Sequence, residues 1–217
     1  MEQEVTYCTI IGAAPLGDSR LLLQAAERGD FLICADGGLD TARRLGVTPH
    51  LILGDFDSLQ GEIPDGEDVI RLPVEKDDTD MLHAVKVGLQ HGYRSFLLLG
   101  GLGGERPDHS MANFCVLRYL AEHGAQGVLT DGRTAVRYFL PGTHSLEGKK
   151  GELVSVFPFG CLSCTVSYTG LYYETHHTVL TLADAMGVSN CMTGERASIT
   201  VHEGQALVFT QRGEKES

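Results

Sequence analysis

Two acidic side chains follow an apolar run near the middle of the first half of the sequence. In the stretch LILGDFDSLQG, the run Leu51–Leu53 is followed by Asp55 and Asp57. Side chains two residues apart in an extended chain share a face, so both carboxylates can reach one ion while Phe56 turns towards the core. Carboxylate pairs of this kind are typical ligands of a hard divalent cation such as Mg²⁺.

A second acidic cluster, EKDDTD, occupies residues 75–80. Asp77 and Asp80 lie three apart at the start of a predicted helix, with Thr79 or Asp78 available as the N-cap. Taken alone, the cluster is explained by capping and by the helix dipole. Together with the first pair it would bring several carboxylates to one sheet edge, where they repel each other unless a cation lies among them. Oxygen ligands favour Mg²⁺, Mn²⁺ or Ca²⁺.

A glycine-rich stretch, LLLGGLGGERPDHSMAN, covers residues 97–113. Glycines after a strand let backbone amides approach a ligand, and the helix predicted to begin near Asp108 turns its positive end to the same place, which suits phosphate. The spacing matches neither a Walker P-loop nor GxGxxG. A flexible connector is the alternative, and the polar set Arg106, Asp108, His109 and Asn113 argues against it.

The elements that must position these residues alternate between short apolar runs and helical patterns up to about residue 130, which predicts βαβ units and a parallel sheet. The predicted strands are Tyr7–Ile11, Phe31–Ala35, Leu51–Leu53, Val69–Leu72, Phe96–Leu99 and Val128–Thr130. The predicted helices are Ser19–Arg28, Leu39–Leu45, Thr79–Gln90 and Asp108–His123. In a doubly wound sheet of this kind, ligands bind outside the carboxyl ends of the strands, where the acidic and glycine-rich turns lie.

The pattern changes after Gly132. Short β-branched and aromatic segments such as ELVSVFPF and RASITVHE, separated by Gly, Pro and Asn turns, predict an all-β domain. We place the boundary near Pro141-Gly142, giving an α/β domain over residues 1–140 and a β domain over residues 141–217.

Charge and hydropathy exclude some partners. The 217 residues carry a net charge of −12, so nucleic acid and anionic membranes would be repelled, and the sequence has no strong basic patch. No apolar run approaches the ~18 residues that a membrane span needs, and the acidic amino terminus does not resemble a signal peptide. We therefore expect a cytoplasmic protein that binds neither nucleic acid nor membranes.

The six cysteines lie in apolar contexts that suit reduced thiols. Cys161 and Cys164 have ligand-like spacing, and His176 and His177 follow downstream, so a zinc site is one interpretation. Ordinary packing of small side chains is the interpretation we favour, because a structural zinc site usually has two closely spaced ligand pairs.

The motifs CADGGLDTARRLGVTPHLILGDFDSL, KDDTD and GGLGGERPDHSMAN, in this order, resemble the thiamin pyrophosphokinase family, and YTGLYYE and MGVSN fit its β domain. The resemblance covers about residues 8 to 210. It implies an enzyme that transfers the pyrophosphoryl group of ATP to the hydroxyl of thiamin with Mg²⁺, giving thiamin diphosphate and AMP. It also implies a Rossmann-like α/β parallel-sheet domain followed by a small β-sandwich domain, and a homodimer.

The resemblance also implies roles for individual residues. The metal ligands would be Asp55, Asp57 and Asp80. With these, the catalytic set would include Arg106 and Asp108 on the phosphates. By the chemistry of the reaction, Asp77 or Asp80 could accept the hydroxyl proton, and the sequence does not distinguish a base from a metal ligand at these positions. The residues that would bind ATP or thiamin are Asp36, Gly37, Asp77, Thr79, Gly100, Gly101, Gly103, Gly104, His109, Asn113, Tyr173, Ser189 and Asn190.

This chain departs from the family pattern at three points. One more residue than usual precedes Arg106, Cys191 stands where a glutamate is common, and the chain has no tryptophan, so stacking on the thiamin rings must use tyrosine. The short connection near Pro141 further suggests that a partner subunit supplies the β domain of each active site, as a two-fold homodimer allows.

Two other functions fit parts of the pattern. A metal-dependent nucleotide-sugar glycosyltransferase would also place Asp-x-Asp after a strand, but would release a nucleoside diphosphate. A non-catalytic nucleotide-binding sensor would keep the glycines and tolerate loss of the aspartates, all of which are present here.

Overall fold

The computed structural model describes residues 7–56, 68–73, 77–184 and 186–213. The chain divides into two compact units, residues 1–132 and residues 133–217. Within the described ranges, no helix is both long and apolar enough to cross a membrane.

The first unit is built on parallel strands connected by helices. Its strands are β1 (Cys8–Ile11), β2 (Phe31–Ala35), β3 (Leu51–Gly54), β4 (Val69–Arg71), β5 (Ser95–Leu99) and β6 (Gln126–Thr130). Its helices are α1 (Arg20–Glu27), α2 (Gly38–Arg44), α3 (Asp80–Gln90) and α4 (Pro107–Glu122). The strands lie in the order β6-β5-β1-β2-β3-β4 and pair in parallel, as the alternating sequence pattern predicted.

The predicted elements of this unit are confirmed to within two residues at each end. Strand β1 is buried along its whole length because it lies between β2 and β5 and helices α2 and α3 pack against it. The Thr79 hydroxyl caps α3 by accepting a hydrogen bond from the Leu82 N–H at 3.2 Å. Helix α4 begins at Pro107, whose fixed φ suits the first helical position. These local signals fix where each strand-to-helix turn lies.

The strand order sets the position of the ligand-binding edge. The chain leaves β1 to build β2, β3 and β4 on one side of it, and later builds β5 and β6 on the other side. The connections that follow β1 and β5 therefore lead towards opposite edges of the sheet. Open parallel sheets bind ligands at such a point, where the strand order reverses.

The second unit consists of antiparallel strands. They are β7 (Thr134–Phe139), β8 (Gly142–Glu147), β9 (Leu153–Pro158), β10 (Ser163–Thr169), β11 (Thr175–Thr181), β12 (Asn190–Cys191), β13 (Arg196–Glu203) and β14 (Ala206–Gln211). Strands β12, β9, β14 and β7 are neighbours in that order, and β11, β10, β13 and β8 form a four-stranded sheet. Side chains from both groups, including Val156, Val166, Ile199 and Val208, share one buried core.

The division of the chain falls after Gly132, where the sequence pattern changes, and earlier than the boundary placed near Pro141-Gly142 from the sequence. Strand β7 explains the difference. It pairs with β14 along its whole length, from Thr134 opposite Gln211 to Phe139 opposite Ala206, and so belongs with the second unit.

Candidate active site

A cleft of about 920 Å³ opens at the carboxyl ends of the parallel strands in the first unit. The sequence-predicted site residues that line it are Asp36, Asp55, Thr79, Asp80, Gly100, Gly101, Gly103, Gly104, Arg106, His109 and Asn113. Residues from the turns after β2, β3 and β5 thus meet at one place, as expected for the carboxyl ends of parallel strands.

Some predicted residues lie elsewhere. Asp77 is exposed and lines a neighbouring groove with Leu82 and Tyr119, while its neighbour Asp78 lines the cleft. Asp57 lies outside the described residues.

The turn after β1 is a part of the cleft that sequence reasoning missed. Gly12, Ala13 and Ala14 line the cleft, and the Ala14 N–H donates to the Gly100 carbonyl at 2.9 Å. The two turns approach so closely that a Cβ on Gly100 would lie 2.3 Å from the Gly12 oxygen. The signal was present in the sequence as IIGAAPLG, a glycine directly after a predicted strand.

The turns after β2 and β3 place two aspartates on the cleft. Asp36 has a φ of 46°, and its N–H donates to the Leu53 carbonyl at 2.8 Å, which ties this turn to the next strand. Phe56 is buried, with an exposed fraction of 7%, so it turns into the core as predicted while Asp55 lines the cleft.

Asp78, which precedes α3, is held by a lysine on the second turn of that helix. The Lys86 ammonium lies 2.5 Å from an Asp78 carboxylate oxygen, and this hydrogen bond raises the pKa of Lys86. Lys86 also lies 5.8 Å from the centre of the Tyr119 ring. The charge of Asp78 at the rim of the cleft is therefore balanced locally.

The glycine-rich loop is fixed from the start of α4. The buried Asn113 side chain donates to the Gly101 carbonyl at 2.9 Å, and the Gly103 N–H donates to the Ser110 hydroxyl at 3.0 Å. Arg106 binds Asp108 through two hydrogen bonds, at 3.0 and 2.6 Å. These bonds from the guanidinium lower the pKa of Asp108 to about 2. Asp108 therefore stays ionised and orients Arg106 at the mouth of the cleft.

The donor atoms in the cleft suit a hard cation. Asp55 and Asp80 both line it, and their ligand atoms are carboxylate oxygens. Within the described ranges, no group of three His, Cys, Asp or Glu side chains is arranged to hold a metal, and the third predicted ligand, Asp57, lies outside these ranges. Two carboxylates suffice for Mg²⁺ when substrate phosphates complete its coordination.

The cysteine pair of the second unit has structural contacts. The Cys161 thiol donates to the Gln205 carbonyl and accepts from the Gln205 N–H, both at 3.4 Å, and Cys164 is buried in the core. Packing is thus the interpretation that the described contacts support for both cysteines.

In the second unit, Asn190 clamps the segment that carries Tyr173. The Asn190 amide donates to the Tyr173 carbonyl at 2.8 Å and accepts from the Tyr173 N–H at 2.9 Å. Its oxygen also accepts from the Cys191 N–H at 2.9 Å. Asn190 is buried, whereas Tyr173 is 67% exposed and meets Tyr172 edge to face, with ring centres 4.9 Å apart. Asn190 thus positions an exposed aromatic pair.

Ser189 precedes the clamp in a strained conformation, with a φ of 61°, and its N–H donates to the Ser155 hydroxyl at 3.1 Å. A positive φ is uncommon for a residue other than glycine and is retained where the surroundings fix it. The loop around Ser189 is therefore held to β9 on one side and to the Tyr173 segment on the other.

Comparison with known proteins also divides the chain into two parts, one matched by each of two family models. The model of the thiamin pyrophosphokinase catalytic domain matches residues 22–129, and the model of the thiamin pyrophosphokinase vitamin B1 binding domain matches residues 143–206. Together these models cover most of the chain. The chain belongs to the thiamin pyrophosphokinase family.

Individual relatives of the family support the match over nearly the whole chain. Thiamine pyrophosphokinase 1 of Oryza sativa subsp. japonica is 27% identical over 80% of this chain and 76% of its own length. Thiamin pyrophosphokinase 1 of Caenorhabditis elegans is 26% identical over 94% of this chain and 88% of its own length. The crystal structure of thiamine pyrophosphokinase from Bacillus subtilis has a TM-score of 0.81 at 22% identity, covering 94% of this chain and 98% of that one, and shows the shared fold.

The catalytic-domain match of the thiamin pyrophosphokinase family contains Asp36, Asp55, Asp80 and the glycine-rich loop, and the B1-binding match contains Tyr173 and Asn190. Membership of this family decides against a nucleotide-sugar glycosyltransferase and against a non-catalytic sensor.

Proposed function

We propose that this chain is an enzyme that transfers the pyrophosphoryl group of ATP to the hydroxyl of thiamin, giving thiamin diphosphate and AMP. The observation that carries the proposal is that Asp55 and Asp80 line the same cleft as the glycine-rich loop and the start of α4. Carboxylates for a cation and backbone amides for phosphate are the two parts that phosphoryl transfer needs.

The phosphates of ATP would bind where the glycine-rich loop meets α4. The amino terminus of a helix carries unsatisfied N–H groups and a partial positive charge, which favour an anion. Arg106 adds a guanidinium at the cleft. Its charge is paired with the ionised Asp108 that orients it, and its N–H groups beyond the two bound to Asp108 would donate to phosphate. These groups would bind the transferred phosphates and stabilise the charge that develops on them.

Asp55, Asp57 and Asp80 would hold Mg²⁺ against the bound phosphates. The ion would supply charge neutralisation on the phosphate oxygens. The donor set supports this assignment, because carboxylate oxygens are the ligands that Mg²⁺ prefers.

In the reaction, the thiamin hydroxyl oxygen forms a bond to the β-phosphorus of ATP, and the bond from that phosphorus to the oxygen bridging the α-phosphate breaks. AMP leaves with that oxygen, and the hydroxyl proton passes to a base. Of the two aspartates that the sequence left open as the base, Asp80 lines the cleft and Asp77 lines the neighbouring groove. This placement brings Asp80 closer to the chemistry than Asp77, and its two carboxylate oxygens would let it bind Mg²⁺ through one and accept the proton through the other.

Thiamin would be held by the second unit, at the exposed ring of Tyr173 and the loop of Ser189 and Asn190. The thiazolium ring is a cation, and a tyrosine face attracts it. The net charge of −12 also favours a cationic substrate.

We further propose a cytoplasmic homodimer in which the β unit of one copy completes the site of the other. In this assignment the first unit is Rossmann-like and the second is a β-sandwich, which the core shared by its two groups of strands supports.

The decisive experiment incubates the protein with ATP, Mg²⁺ and thiamin and identifies the nucleotide product. AMP should appear only when thiamin is present, and ADP as the sole product would rule out pyrophosphoryl transfer. Asp55→Asn and Asp57→Asn should each lower turnover roughly a hundredfold or more without unfolding the protein, because each removes charge at constant shape. Asp40→Asn is the matched control, since Asp40 lies on α2 beside Arg43 and does not line the cleft.

The shared site has its own test. Asp55→Ala should inactivate the first unit and Ser189→Trp the second, so neither homodimer should turn over. After mixing and reassociation, half of the dimers are heterodimers with one intact site of two, so about a quarter of wild-type activity should return. Heterodimers that form without activity would place each site within one chain.

A further inference from the structure

A histidine pair in the second unit lies outside the proposed thiamin and ATP sites. His176 and His177 are adjacent in β11, and both are exposed. Adjacent side chains of a regular strand point to opposite faces. Here, however, the Nδ1 atoms of the two rings lie 3.1 Å apart.

A β-bulge explains why the two rings converge. Thr178 lies opposite Val166 and Thr175 lies opposite Tyr168, so His176 and His177 together face the single residue Ser167. His177 also has a φ of 49°, a left-handed conformation that few residues other than glycine adopt. Bulges redirect side chains in this way and are frequent beside functional sites.

The surroundings hold His177 in this orientation. Its N–H donates to the Ser167 hydroxyl at 3.0 Å, and that hydroxyl also lies 2.7 Å from Nε2 of His202. The rings of His177 and His202 stack, with centres 3.8 Å apart and an angle of 17° between the planes.

The separation of the two nitrogens matches a chelating pair. Two nitrogens each ~2.0–2.1 Å from one ion lie about 2.8–3.0 Å apart at a right angle and about 3.3–3.4 Å apart at the tetrahedral angle, and the observed 3.1 Å falls between these values. Imidazole nitrogen is a preferred ligand of borderline ions such as Zn²⁺, Ni²⁺ and Cu²⁺, whereas the carboxylates of the cleft favour Mg²⁺. The two sites therefore differ in the class of ion they would select.

We propose that His176 and His177 form a surface site for a borderline divalent transition-metal ion, bound through both Nδ1 atoms, with water at the remaining positions. Over the ranges that the structure describes, no third His, Cys, Asp or Glu joins the group. Structural zinc sites use four protein ligands, so this site binds more weakly and exchanges its ion readily.

The first test measures Ni²⁺ binding by equilibrium dialysis, with Mg²⁺ present in excess. His176→Gln and His177→Gln should each weaken one binding event by about tenfold or more, because even changes outside the ligand shell cost about 10–100-fold. His123→Gln is the matched control: His123 is exposed at the end of α4, where its Nδ1 lies 2.7 Å from the Tyr119 carbonyl oxygen. It should bind Ni²⁺ as the wild type does. Unchanged Ni²⁺ binding in both His176→Gln and His177→Gln would overturn the proposal.

A second test identifies the ligand atoms. In ¹⁵N NMR spectra of the histidine side chains, Zn²⁺ should shift the Nδ1 signals of His176 and His177 together. His202→Gln should preserve this response, since His202 stacks on the pair and is not assigned as a ligand. The distance of 3.1 Å also fits a simple hydrogen bond between the rings. Nδ1 signals that do not move at saturating Zn²⁺ would establish that bond and refute the metal site.

Discussion

Replacing Asn190 with alanine should damage stability and thiamin binding together. Asn190 is 7% exposed and makes three hydrogen bonds, two to the backbone of Tyr173 and one to that of Cys191. Each such bond contributes about 0.5–1.5 kcal/mol net, so the loss of all three amounts to roughly 2–4 kcal/mol of unfolding free energy. For a chain of this size, that corresponds to a lower melting temperature by about 5–15 °C.

The same change should release the segment that presents Tyr173. The KM for thiamin should rise about tenfold or more, whereas the KM for ATP should stay near the wild-type value, because the cleft proposed for ATP lies in the first unit. Thermal unfolding and steady-state kinetics with each substrate varied in turn provide the measurements.

Two variants distinguish the positioning of Tyr173 by Asn190 from the contact of the Tyr173 ring with thiamin. Tyr173→Ala removes a ring that is 67% exposed, so it should raise the KM for thiamin with a stability change within about 0.5 kcal/mol. Asn190→Asp keeps the acceptor for two N–H groups but sets a buried carboxylate oxygen against the Tyr173 carbonyl, so it too should lower stability and raise the KM for thiamin. If Asn190→Ala lost stability but kept the wild-type KM for thiamin, the reasoning that links the clamp to substrate would be wrong.

Two further predictions concern the first unit. Gly38→Ala should destabilise it by more than about 3 kcal/mol, because the new Cβ would lie 1.9 Å from the Ile11 backbone oxygen. The control is Gly194→Ala in the second unit, where the new Cβ would meet nothing within 4 Å. It should change stability by less than about 0.5 kcal/mol in the same denaturation assay. NMR titration should give Asp108 a pKa of about 2, and Arg106→Gln should return it towards the ordinary ~3.9. Since the folded pKa is the lower one, the stabilisation from this pair is complete above about pH 4 and is lost as the pH falls through 2. An unchanged Asp108 titration in Arg106→Gln would contradict the cause assigned to the shift.

The amino-acid sequence by itself determined the elements of the first unit and the position of its acidic turns. Apolar periodicity, the Thr79 cap and Pro107 at the start of α4 are local signals, and each predicted an element end to within two residues. Asp55 and Asp80 could be expected at one edge because the carboxyl ends of parallel strands meet there. The family motifs depend on the same short stretches, and the family models match over them.

Strand pairing determined the long-range contacts that the local sequence pattern could not predict. Gly12 and Gly100 lie 88 positions apart in the chain, and they meet only because β1 pairs with β5. Strand β7 joins the second unit because its partner is β14, near the other end of the chain. Such contacts depend on which distant segments pair, and no short stretch of sequence determines that pairing.

The roles of individual polar residues also depended on the tertiary structure. The sequence spacing pointed to Asp77 as a site residue and to Asp78 as a possible helix cap, but the turn before α3 places Asp78 on the cleft and Asp77 on the neighbouring groove. The hydrogen bonds of Asn190 to the backbone of Tyr173 could not be read from the sequence. His176 and His177 converge only because β10 is one residue short against β11. Hydrogen-bond partners, bulges and left-handed conformations are set by neighbours across the fold, whereas helix caps and periodicity are set by neighbours along the chain.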